Sequence, residues 1–212
     1  MLTAILTFVP AAAVIVVAPG PDTLLVLRNS ARAGRRVGLV TAAGTVTGLL
    51  VWALVAALGL AALVRASEIG YTVVRVCGAA YLLFLGTQLI WRSRRGRAGD
   101  EDEEDLAPVP VRRPALSGYL TGIGTNLLNP KVGVFFISFL PVFIPRDAQV
   151  ALTSLVLCAV FVTEVILWLA GVVLLGHRLG VIVNRPSVRR RAERLTGLVM
   201  VGFGVRLAIE QR

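Results

Sequence analysis

Charge is what this chain has least of. Only 16% of its 212 residues are charged, 56% are hydrophobic, and the mean hydropathy is +0.80. A soluble domain of this length could not hide so much apolar surface. Lysine is all but missing, since Lys131 is the sole lysine among 22 basic residues. Histidine occurs once, and the two cysteines, Cys77 and Cys158, form no CxxC pair. That scarcity leaves no metal-type cluster and no disulfide framework, and both cysteines read as small apolar core residues. A phosphate-cradling glycine loop and a nucleophile-elbow motif are missing as well, so no soluble-enzyme chemistry and no cofactor are expected. The formal charge of +10 does not point to nucleic acid. Its arginines fall in short segments between apolar runs, with no basic patch interleaved with aromatics.

What is present is a series of apolar stretches near the ~20 residues that cross ~30 Å of hydrocarbon. Six spans are expected, at about 3–27, 37–63, 70–91, 115–143, 149–175 and 195–209. The N-terminus mimics a signal peptide with Ala11-Ala12-Ala13 as a cleavage site, but no positive residue precedes it, so it is expected to stay as the first span. The sixth span is the shortest: fifteen helical residues rise only about 22 Å and need snorkelling by Arg194 and Arg206. Residues 92–114 differ from the rest, with arginines, then Asp100-Glu101-Asp102-Glu103-Glu104-Asp105, then three prolines. Such a stretch builds no packed core and reads as a solvated linker between residues 1–91 and 115–212.

Two spans are interrupted. Ala18-Pro19-Gly20-Pro21-Asp22 breaks the first and Asn126-Leu127-Leu128-Asn129-Pro130-Lys131 the fourth. Proline removes a backbone donor and clashes with the preceding turn, so helices 1 and 4 are broken there. In lipid a break is tolerated only where protein or a water-filled cavity satisfies the freed groups. Each break is followed directly by a charge, and a charge at mid-bilayer costs about 2.5–3.5 kcal/mol on insertion scales. The two breaks therefore read as the working centre of a transporter. Asp22 and Lys131 are expected to lie close together, as an ion pair or as a site for a zwitterion. In the second case Lys131 and exposed amides receive a carboxylate, while Asp22 and freed carbonyls receive an ammonium. Pro19, Gly20, Pro21 and Pro130 shape the breaks, and Asn126 and Asn129 complete the contacts. Glu164, near the middle of span 5, is a candidate for cycling protons together with Asp22. Arg75 lies near a span end, where it can snorkel, and is set aside.

Sixteen arginines sit in the loops after spans 1, 3 and 5, against two after spans 2 and 4. The positive-inside rule then puts both termini outside. Three spans per half makes any repeat an inverted one. Pro21-Asp22 matches Pro130-Lys131, and the stretch 47–52 matches 163–168, with Trp52 and Trp168 at the same offset. Gly44 with Gly48, and Gly118 with Gly122, have the spacing that lets helices approach closely, within one subunit or in a homodimer.

Together with Gly78-Ala79-Ala80-Tyr81-Leu82-Leu83-Phe84-Leu85-Gly86 and the glycine-rich span around Gly44, the two break motifs resemble the lysine-exporter superfamily, nearest its homoserine/threonine-efflux (RhtB-type) branch. The resemblance covers nearly the whole chain. It implies an all-α protein of the bacterial cytoplasmic (inner) membrane with about six spans, exporting amino acids or derivatives on the proton-motive force. The acidic linker is foreign to that pattern. Two other classes compete: a membrane thiol–disulfide carrier, which would need a cysteine beside each break, and a passive channel or scaffold.

Overall fold

The computed structural model describes residues 1–18, 20–66, 68–95, 113–129, 132–133, 135–145, 148–175 and 185–209. These form seven α-helices and no strand: α1 (Leu2–Val17), α2 (Pro21–Ala33), α3 (Arg35–Ala66), α4 (Glu68–Arg95), α5 (Pro114–Leu127), α6 (Val150–Leu174) and α7 (Pro186–Ile209). Pro19, Pro130, Lys131, Arg146, Asp147, His177 and the acidic run lie outside the described residues, as does the side chain of Arg75.

The first break falls where the prolines demand it. α1 ends at Val17, Gly20 is extended, and Pro21 takes the first helical position of α2, where its missing N–H costs nothing. The two helices meet at 55°. The loop expected over residues 28–36 is nearly absent. α2 runs on to Ala33, and Gly34, at φ +87°, makes the whole turn into α3. Arginine is a good helix former, so only the residue that tolerates positive φ interrupts the helix. The final helix corrects the expected bounds in the same way. It starts at Pro186 rather than Leu195, so the arginines at 189–191 and 194 are helical. Its 24 residues rise about 36 Å, but the added turns carry Arg189, Arg190, Arg191, Glu193 and Arg194, so the apolar part stays as short as expected.

After α5 the chain rewinds irregularly, as a π turn over Phe135–Phe139 followed by a 3₁₀ turn over Leu140–Phe143. Pro141 has no N–H to give to the preceding turn, which explains the change of pitch there.

Among the described residues, Arg35–Gly59 and Val150–Leu174 are long and apolar enough to cross a membrane, and α1 and α2 taken together, as a bent pair, are long and apolar enough for a third. A shorter apolar stretch is Val76–Trp91 in α4. Leu54, Leu58, Phe84 and Leu167 are all more than half exposed. Such a surface is an aggregation hazard in water and a requirement in lipid.

α3 runs antiparallel to α6, and α4 to α7. In the α3–α6 pair, Arg35 donates to the Leu174 carbonyl (3.3 Å) near one end, and the Cys158 thiol lies 3.8 Å from the Ala53 carbonyl further along. In the α4–α7 pair, Gly86 lies against Gly197 and Gly204 against Ala79. A Cβ on Gly86 would stand 2.7 Å from the Gly197 carbonyl oxygen, and one on Gly197 the same distance from that of Gly86. α3 and α5 instead run parallel, and their crossing uses all four glycines named from spacing. A Cβ on Gly44 would collide with the Tyr119 carbonyl, one on Gly122 with that of Thr41, and one on Gly118 with the Thr41 hydroxyl at 2.6 Å. These glycine faces are thus engaged within the chain. Thr47 and Tyr119 share a hydroxyl hydrogen bond of 3.0 Å across the same crossing.

Candidate functional site

The site is built where the two breaks meet. Asp22 is the second residue of α2, so its carboxylate sits at the positive end of that helix. From the far side, α5 carries Asn126 in its last turn, and Asn129 follows one turn of chain later. Both side-chain amides donate to Asp22 Oδ2, each at 3.1 Å. Donation to an ionised acceptor is the stronger kind of hydrogen bond, and both asparagines are buried. Residues 104 and 107 positions apart in the chain are thereby locked together. At the second break the Asn129 carbonyl accepts from Val132 (3.1 Å) and Gly133 (3.4 Å).

Gly48 has a second use beyond helix packing. A Cβ there would stand 3.0 Å from Asn126 Cβ and 3.1 Å from its Oδ1, so the missing side chain is what makes room for Asn126.

Asp22, Gly20, Asn126 and Asn129 open onto a cavity of about 60 Å³. Its polar rim also includes Thr23, whose hydroxyl accepts a 3.2 Å hydrogen bond from the Trp168 indole N–H. The remaining walls are apolar, with Leu49, Phe135, Phe161 and Val165 among them. Behind Phe135 and Phe161 lies a network that takes in seven of the chain's eight phenylalanines, from Phe8 on α1 to Phe203 on α7. A few convergent polar groups at one end of an apolar cavity is the usual form of a small-molecule site.

Of the other residues singled out from sequence, Glu164 does not line this cavity, although Phe161, Val165 and Trp168 around it on α6 do. Both of its carboxyl oxygens are shielded and without a hydrogen-bond partner among the described residues. Pro21 is exposed, outside the cavity wall. Cys158 is a core residue as expected, but Cys77 is exposed on α4 rather than packed in the core. Neither cysteine lines the cavity at the breaks.

Sequence reasoning missed Thr23, Trp168 and the phenylalanine walls. Trp168 had a usable signal, its shared offset with Trp52. The walls had none, because an apolar residue inside an apolar span looks like any other.

The LysE type translocator family model matches residues 13–211. The chain is 30% identical to the leucine efflux protein of Salmonella typhimurium, over 97% of this chain and 94% of that one. It is 33% identical to a membrane protein of Pseudomonas aeruginosa (95% and 93% covered), and 28% identical to the membrane protein YrhP of Bacillus subtilis (97% and 98%). No solved structure matches it significantly.

Proposed function

The chain belongs to the LysE type translocator family, and from that premise we propose that it is a secondary transporter exporting amino acids or close derivatives from the bacterial cytoplasm across the inner membrane, driven by the proton-motive force. The observation that carries the reading is the Asp22 carboxylate at one helix break, gripped by Asn126 and Asn129 of the other, at the rim of an apolar cavity. Asp22 receives the substrate ammonium and Lys131 its carboxylate, with Asn126 and Asn129 ordering the rim. Pro19, Gly20, Pro21 and Pro130 keep the breaks open, while Gly44, Gly48, Gly118 and Gly122 hold α3 against α5. The cavity's apolar walls suit a side chain such as leucine, the substrate named for the Salmonella relative. Protons couple through Asp22 and Glu164; the shielded, unpartnered Glu164 carboxyl supports the second. No bond in the substrate is made or broken.

The framework of this proposal is six spans in two inverted halves, residues 1–91 and 115–212, joined by the charged linker 92–114. An in-plane two-fold axis makes each span antiparallel to its mate, and the three touching mate pairs, spans 1 and 4 (α2 with α5), α3 with α6 and α4 with α7, are antiparallel. The reciprocal Gly86–Gly197 approach supports an axis passing through that crossing. The tryptophans are reciprocal as well. Trp168 of the second half bonds Thr23 just after the first break, and Trp52 of the first half packs on Gly133 just after the second. The arginine-rich ends support cytoplasmic loops and outward termini. Arg35 meets the last turn of α6, and Thr41, early in α3, meets Gly118, early in α5, so three arginine-flanked helix ends gather at one end of the molecule.

The test uses purified protein in inverted vesicles with an imposed proton gradient and a panel of labelled amino acids. Gradient-driven accumulation of a subset, lost in Asp22→Asn and in Lys131→Ala, is expected. Folded protein that accumulates none of the panel sinks the exporter reading, and equilibration without accumulation favours a channel.

A further inference from the structure

The aromatic part of the cavity wall carries an inference about selectivity that rests on the exporter reading and goes beyond it. Phe135, at the start of the π turn, and Phe161, on α6, stack with centroids 4.1 Å apart and planes 22° apart. Both line the cavity and both are buried. They are also braced from behind. Phe136 packs edge-on against Phe135 at 5.4 Å and against Phe161 at 5.5 Å, while Phe139 lies 4.8 Å from Phe135. Neither ring can swing aside without moving its neighbours, because a close-packed interior has no spare volume to receive it.

The size of the space left in front of them decides what fits. The cavity is partly open, so its volume of about 60 Å³ is the space against its walls and not that of a whole substrate; it holds about four water-sized groups at roughly 15 Å³ each, which suits a short aliphatic branch. An apolar cavity known to admit a benzene ring measures ~150 Å³, more than twice as much.

We propose that the stacked Phe135–Phe161 pair is the specificity-determining wall of the site, admitting aliphatic amino-acid side chains and excluding aromatic ones. Removing one ring lets a substrate ring take its place, against the same edge-on partners.

The experiment compares transport of leucine and phenylalanine in vesicles by wild type, Phe161→Leu, Phe161→Ala, Phe135→Leu and Phe143→Leu. Phe143 is buried in the same cluster against Phe8, Phe139 and Phe203, and it neither lines the cavity nor touches the Phe135–Phe161 pair, so its variant loses similar packing without widening the site. A hydrophobic pocket discriminates by about tenfold or more per changed group. The phenylalanine-to-leucine ratio of kcat/KM is therefore expected to rise at least about tenfold in the wall variants and to stay at the wild-type value in Phe143→Leu. Phe161→Leu guards against misfolding of the more disruptive alanine variant. Wall variants that still carry leucine with the ratio unchanged overturn the proposal, as does an equal rise in Phe143→Leu. So does a wild type that already carries phenylalanine as well as leucine. Each of these leaves amino-acid export standing, whereas a wild type that moves no amino acid brings down the function itself.

Discussion

Replacing Asp22 tests whether its carboxylate holds the two breaks together. In Asp22→Asn, the bonds from Asn126 and Asn129 lose charge assistance, falling from about 1.5–3 to about 0.5–1.5 kcal/mol each. The pair is then weakened by roughly 2 kcal/mol. In Asp22→Ala both amide donors lose that acceptor in a buried setting, at roughly 1–3 kcal/mol apiece, or about 2–6 kcal/mol in all. At about 2–4 °C per kcal/mol for a chain of this length, Tm is expected to fall by roughly 4–8 °C in Asp22→Asn and further in Asp22→Ala. The assay is thermal unfolding in detergent, followed by labelling of the buried Cys158 thiol in a Cys77→Ser background. The double variant Asp22→Asn/Asn129→Asp moves the carboxylate across the bridge. It is expected to recover most of the lost Tm while remaining inactive, because the charge no longer sits at the start of α2. If Asp22→Ala melts within about 1 °C of wild type, the bridge does not join the halves. If the swapped pair transports normally, the placement of the charge is irrelevant to function.

Three further outcomes follow from the packing. Gly44→Ala drives a methyl group into the Tyr119 carbonyl and is expected to cost about 1–3 kcal/mol, whereas Gly59→Ala, with open space around it, is neutral or stabilising by up to about 1 kcal/mol; melting of the two side by side decides this. Gly48→Ala belongs between them in stability, yet is expected to raise the KM for substrate because it crowds Asn126. Trp168→Phe and Thr23→Val are expected to show a coupling of about 0.5–1.5 kcal/mol in a double-mutant cycle, and strict additivity would mean that the indole hydrogen bond contributes nothing. A cysteine placed after Met1 in a Cys77→Ser/Cys158→Ser chain is expected to react with an impermeant thiol reagent in intact spheroplasts. Labelling only after lysis would reverse the orientation, and loss of export in that background would revive a thiol mechanism.

Composition, the two breaks and the arginine bias were legible because they are local properties. Proline lacks its N–H wherever it stands, so Pro21 sets the start of α2 whatever surrounds it. Long apolar runs make a lipid-facing surface on hydropathy alone. The helix ends were less legible: Arg32 and Arg189 read as loop because they are charged, yet both are helical, since arginine favours a helix and only Gly34 and Pro186 mark the boundaries. What tertiary structure alone decided was which distant residues meet. Asn126 and Asn129 were visible as polar groups at a break, but their shared acceptor is more than a hundred positions away. The four spaced glycines announced a close approach without saying to what, and they turned out to lie on the two sides of a single crossing, against Tyr119, Asn126 and Thr41. The phenylalanine wall was silent in sequence for the same reason. Hydrophobicity tells a residue to be buried, and only the packing of α6 against the rewound segment after α5 decides which buried rings border the cavity.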